Sequence, residues 1–164
     1  MSILNHLSIT RIIRHRRELV FKAWTTPNEL KNWFAPKGCT ISFSKLELHE
    51  GGSFHWCVKN PNYPDCWCTG IFLEIEYPSL IKYKIRLADE KGNPVSAQEM
   101  FKDKDWPEET LVTVRFNKKN DHTEINIHQT VVETLARKTG AYKGWIDMLD
   151  LLEERMSLNE LNLN

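Results

Sequence analysis

The feature that most limits the fold is a succession of short alternating runs through the middle of the chain. In "SFHWCV" the apolar set is Phe54, Trp56 and Val58; in "WCTGIFLEIE" it is Trp67, Ile71, Leu73 and Ile75; in "LIKYKIRL" it is Ile81, Tyr83, Ile85 and Leu87. "LVTVRFN" continues with Val112, Val114 and Phe116, and "TEINIHQT" with Ile125 and Ile127. A period of two places each set on one side of a strand. The opposite parity carries His55, Cys57, Glu74, Glu76, Lys82, Lys84 and Arg86, so each strand is expected to have one dry and one wet face, as antiparallel sheets do. Gly51-Gly52 and "KKND" supply turns, with positive φ expected at both glycines. "HLSITRIIRH" adds a strand at the start. "TISFSKLELHE" adds another, in which Ile41 and Phe43 share one parity and Leu46 and Leu48 the other, which predicts a bulge near Ser44.

Helical signals are confined to two places. "RELVFKAW" puts Leu19, Val20, Ala23 and Trp24 at helical spacing. It runs into "TTPNELKNWFAP", where Thr26 is the expected N-cap, Pro27 the first helical residue, Glu29 the return arm of a capping box and Pro36 the stop. A helix of two turns is too short to stand alone, so its Leu30, Trp33 and Phe34 must rest on something apolar. The chain closes with a helix over 139–156, in which Trp145, Met148, Leu149, Leu152 and Met156 form one stripe. Lys143, Asp147, Asp150, Glu153 and Glu154 are expected on the wet side. Gly140 and Gly144 weaken that helix by about 1 kcal/mol each relative to alanine, which predicts a close backbone approach to the sheet. A curled sheet of six to seven strands is wider than one helix of about 10 to 12 Å diameter, so the two short helices must close its open end. The expected class is α+β: a curved antiparallel sheet around a long C-terminal helix, with two short helices after the first strand.

At 164 residues the chain fits one domain, 1–164, with an ordered core over about 6–156 and a fraying tail over 157–164. Its 22 basic and 22 acidic residues cancel, which argues against nucleic acid as a partner. No stretch is apolar for long enough to span a bilayer and no leader opens the chain; a cytoplasmic protein with no membrane partner is expected. Cys39, Cys57, Cys66 and Cys68 read as thiols rather than a disulfide framework. Residues 88–109 form a long polar connection, either a lid or a solvated excursion.

In this order, "RELVFKAWTTPNELKNWFAPKG", "LELHEGGSF", "GIFLEIEYPSLIKY", "TVRFNKKNDHTEINIHQT" and "GWIDMLDLL" resemble the START-like (SRPBCC, helix-grip) superfamily. The branch is that of the C-terminal domain of the Hsp90 ATPase activator homologue. The resemblance spans about Ile9 to Met156. It implies a helix-grip fold enclosing an apolar cavity, and members that are mostly small-ligand carriers or sensors, with some cyclases, hydrolases and protein-binding modules.

The residues that parity and helical spacing aim inward are the candidate ligand contacts: Trp33, Phe34, Phe54, Trp56, Trp67, Tyr83, Phe116, Gln129, Trp145 and Leu149. Apolar lining with a few polar atoms is how small-molecule sites are built, although each of these side chains taken singly also fits plain core packing. His55-x-Cys57 and Cys66-x-Cys68 are expected to share a wet face, yet alternate strand positions are a poor template for zinc. No metal and no cofactor is expected. Glu47 and His49 are the only acid-base pair worth testing, and a solvated strand end is their simpler reading; no catalytic residue is assigned. The primary expectation is a cavity for a small apolar or aromatic ligand. The alternatives are a protein-interaction module for an Hsp90-type chaperone, by family analogy, and a cyclase- or hydrolase-like enzyme acting on a cavity-bound aromatic substrate.

Overall fold

The computed structural model describes residues 5–101 and 105–158. Seven strands, β1 (His6–Ile13), β2 (Thr40–Leu46), β3 (Ser53–Asn60), β4 (Tyr63–Glu76), β5 (Leu80–Ala88), β6 (Thr110–Lys119) and β7 (His122–Val132), form one sheet. Its order is β1-β7-β6-β5-β4-β3-β2 and every neighbouring pair is antiparallel. The first two strands in sequence are thus the two edges of the sheet. The chain between them, α1 (Arg17–Thr25) and α2 (Pro27–Trp33), has to cross from one edge to the other, and it does so over the concave face, burying Val20, Phe21, Ala23, Trp24, Leu30 and Trp33. The fold is the α+β helix-grip expected.

The bulge falls where the pattern places it: Phe43 pairs with Trp56 and Lys45 with His55, leaving Ser44 as the extra residue, so Leu46 returns to the dry side opposite Phe54. Gly51 has the positive φ of +81°. Gly52 does not; a Cβ there would lie 2.2 Å from the Glu47 carbonyl oxygen, so its constraint is close approach.

Four local expectations are corrected. Thr26 ends α1 as well as starting α2, and its hydroxyl donates back to the Lys22 carbonyl at 2.6 Å, so no capping box forms. Glu29 instead turns inward, is fully buried, and pairs with Arg155 through both carboxylate oxygens, the second contact at 3.1 Å. The closing helix is two helices, α4 (Glu133–Thr139) and α5 (Ala141–Ser157), divided at Gly140, which has φ +89° and ends α4 in the left-handed conformation that glycine adopts without strain. Gly144 faces Pro36, 3.4 Å from where its Cβ would stand, rather than the sheet. Asp147 is buried, not wet: it accepts from the Lys37 backbone N–H at 3.2 Å and from Lys143 at 3.1 Å.

The faces of β4 are the larger correction. Trp56 lies opposite Cys68, Phe54 opposite Gly70, and Phe72 opposite Tyr83. Phe72 is the buried member (4% exposed), while Ile71 (47%) and Leu73 (37%) face outward. The run "GIFL" is apolar on both parities, so alternation alone could not choose. A register shift between Phe72 and Glu74 then brings Ile75 inward opposite Ile81. Trp67 lies on the convex face, where it stacks on His55 with ring centroids 4.9 Å apart.

That convex face is not uniformly wet. The segment after β5 folds back through a bridge between Ala88 and Pro94, the Asp89 carbonyl meets His55 Nε2 at 3.0 Å, and His55 and Cys57 are buried. This part of the 88–109 connection is therefore a cover for the back of the sheet, and α3 (Ala97–Phe101) follows it. The fraying expected of 157–164 bears mostly on residues outside those described; Ser157 itself ends α5.

Candidate ligand-binding site

Between the concave face and α5 the core is mostly aromatic and mostly full. Phe54 stacks on Trp56 at 4.1 Å, Trp24 meets Trp33 edge-on at 4.8 Å, and Phe21 meets Phe116 at 5.1 Å. Such offset and edge contacts satisfy the ring quadrupoles while filling space. Filling stops short at the N-terminal half of α5, where a cavity of about 160 Å³ remains. Phe34 at the end of α2 and Trp145 and Met148 on α5 form its roof; Trp56, Val58, Tyr83, Ile85, Val112 and Gln129 form its floor. A second hollow of about 20 Å³ lies deeper, under Trp24 and Leu30, and shares Phe34, Trp56 and Tyr83 as walls.

The candidate residues divide accordingly. Phe34, Trp56, Tyr83, Gln129 and Trp145 line the larger cavity. Trp33, Phe54, Phe116 and Leu149 are packed into the core at 0–1% exposure and line neither hollow. Trp67 points the other way, because its partners Cys57 and Ala88 are on the convex side. Val58, Ile85, Val112 and Met148 line the cavity too, and parity or the helical stripe already aimed them there. Pro36 carried no such signal, and Trp24, although at helical spacing in α1, could not be assigned to a hollow, since the position of both depends on how α1 and α2 cross the mouth.

No charged side chain lines either hollow. Gln129 is buried and held at both ends: its Oε1 accepts the Trp145 indole N–H at 2.9 Å and its Nε2 donates to Thr110 Oγ1 at 3.0 Å. The Trp33 N–H donates to the Ala23 carbonyl at 3.2 Å. Burial drives the Tyr83 phenol far above its usual range, so it stays a neutral donor throughout the physiological range. The site offers apolar walls and uncharged donors, which suits sequestering a neutral molecule rather than acid-base chemistry.

The other sequence candidates lie elsewhere. Cys66 and Cys68 oppose Val58 and Trp56 and so face the concave side, whereas His55 and Cys57 face the convex side; the two pairs cannot converge on one ion. The expectation that all four share a wet face fails with the parity of β4. Glu47 and His49 are exposed. Glu47 accepts from the Ser53 N–H and hydroxyl at 2.9 and 3.1 Å, bonds that hold its carboxyl below the usual range, and the His49 ring contacts the Glu50 carbonyl at 3.0 Å. Both brace the Gly-Gly turn.

No helix among the described residues is long and apolar enough to cross a membrane. No curated protein matches the sequence. Among solved structures, a protein from Staphylococcus epidermidis superposes with a TM-score of 0.76 at 21% identity, over 99% of this chain and 94% of that one. A protein from Chromobacterium violaceum gives 0.74 at 18%, over 92% and 95%. The AHSA1 protein from Silicibacter pomeroyi gives 0.72 at 14%, over 93% and 98%. At such identities the likeness establishes the fold. A family model, described as Activator of Hsp90 ATPase homolog 1-like protein, matches residues 14–157, nearly the whole of the described chain. The protein therefore belongs to the Activator of Hsp90 ATPase homolog 1-like family, within the START-like superfamily.

Proposed function

We propose that this protein binds one small, uncharged, apolar or aromatic molecule in the cavity beneath α5. The observation that carries the reading is the cavity itself, about 160 Å³ of space in a core otherwise packed ring against ring. An apolar cavity of about 150 Å³ accommodates a benzene-sized ligand, so the site is matched to a single substituted ring and is too small for a polycyclic compound in this conformation. The wider fold type commonly binds hydrophobic ligands, which fits.

Burying about 200 Å² of apolar ligand surface contributes on the order of 5 kcal/mol before association costs, a dissociation constant no tighter than about 0.1 mM without polar contacts. Calorimetric titration with toluene tests this. Saturable one-site binding with a negative heat-capacity change is expected, and Ile85→Phe, which pushes a ring into the cavity from its half-buried wall, should abolish it. Absence of saturable binding, or binding unchanged in Ile85→Phe, removes the proposal.

A chaperone partner is the second reading. It rests on the family's description and on Ile71 and Leu73, exposed on the convex face of β4. If the host's Hsp90-type chaperone neither forms a complex with this protein nor changes its ATPase rate, that reading is eliminated.

A further inference from the structure

One buried donor in the aromatic core has no acceptor, and a second donor lines the same hollow. The Trp24 indole N–H is buried without a hydrogen-bond partner among the described residues. Tyr83, a side chain 3% exposed, brings a phenol hydroxyl, a second donor, to the same part of the core. Native cores keep very few such groups, because a donor removed from water without an acceptor is destabilising. The neighbouring indoles of Trp33 and Trp145 are both engaged, so the unpartnered Trp24 N–H is not a general looseness of this core.

Trp24 and Tyr83 both line the 20 Å³ hollow, and Tyr83 also lines the 160 Å³ cavity that shares its wall. The small hollow has room for about one water-sized group. It presents donors, while the nearby acceptor, Gln129 Oε1, already takes the Trp145 N–H. With no cation on either wall, a carboxylate or phenolate would enter without a counter-charge, which is strongly unfavourable. A hydroxyl would bring one more donor.

We propose that the ligand is a neutral one-ring aromatic compound bearing a carbonyl oxygen, its ring in the larger hollow and its oxygen in the smaller one, accepting a hydrogen bond from Tyr83 with Trp24 as second donor. This rests on the cavity reading above and names the class of molecule that the cavity takes. Phe34 and Trp56, walls common to both hollows, set the passage between them.

The test is a titration with three probes of similar size: acetophenone, ethylbenzene and benzoate. Acetophenone is expected to bind about tenfold tighter than ethylbenzene, and benzoate more weakly than either. In Tyr83→Phe the tenfold preference should fall to within about twofold; Trp24→Phe should narrow it as well and serves if Tyr83→Phe does not fold. Equal affinity of the wild-type protein for acetophenone and ethylbenzene overturns the inference and leaves the cavity reading standing, as does a preference that survives both substitutions. Failure of all three probes to bind overturns the cavity reading and this inference together.

Discussion

The buried pair of Glu29 and Arg155 yields an asymmetric prediction. Glu29 is 0% exposed, whereas the Arg155 side chain keeps 21% of its surface in water. It joins the short α2 to the last turns of α5, two elements whose packing closes the mouth of the sheet. Removing the cation in Arg155→Met takes from the buried carboxylate the counter-ion that meets both of its oxygens, and losing one partner of a buried pair costs about 3–5 kcal/mol. For a chain of this length each kcal/mol moves Tm by about 2–4 °C, so a fall of roughly 10 °C is expected. In Glu29→Gln the uncovered arginine can swing into the water it already touches, and the cost should be smaller, about 1.5–3 kcal/mol, that of one charge-assisted hydrogen bond. The double variant Glu29→Leu/Arg155→Met, apolar on both sides, should lie close to wild type, because a well-packed hydrophobic pair replaces a buried ion pair at little cost. Urea denaturation of all four proteins with a shared m-value is the assay. Equal losses in the two single variants, or a double variant less stable than Arg155→Met, would refute the reasoning.

Two further predictions concern stability. Gly144→Ala should stabilise by up to about 1 kcal/mol through helix propensity, since its Cβ would stand 3.4 Å from Pro36, whereas Gly70→Ala should disrupt folding, because its Cβ would lie 2.0 Å from the Lys84 carbonyl oxygen; thermal melts separate the two, and a Gly70→Ala protein of normal stability would contradict the register of β4. Asp150 is held below the usual carboxylate range by its hydrogen bond from Lys37 and by Arg11. A depressed carboxyl contributes stability above its unfolded pKa of about 4 and loses it as the pH falls through the lower folded value. The Tm difference between wild type and Asp150→Asn should therefore be present at pH 6 and vanish in strong acid; a difference that grows on acidification would be the wrong sign.

Much of the lining of the candidate site is legible in the sequence. Alternation placed Trp56, Tyr83, Val112 and Val114 on the dry face because a single period fits their strands, and the stripe on the last helix fixed Trp145 and Met148 above them. It failed on β4, where apolar residues occupy both parities and the choice of Phe72 over Ile71 is made by pairing with Tyr83. It failed for Glu29 for a different reason. A glutamate three residues after a threonine is a capping signal locally, and its counter-ion lies 126 residues away in sequence.

By itself, then, the sequence determined the antiparallel sheet, the bulge at Ser44, the helices that cover the concave face and the apolar character of what lies between, since each follows from periodicity and turn chemistry within a few residues. Only the tertiary structure decided that Trp67 and His55 form a stacked pair on the convex face, that most of the indoles pack against one another, and that a space the size of one ring survives under Trp145. Those outcomes depend on cross-strand register and on where two short helices come to rest, which are fixed by contacts between residues far apart in the chain.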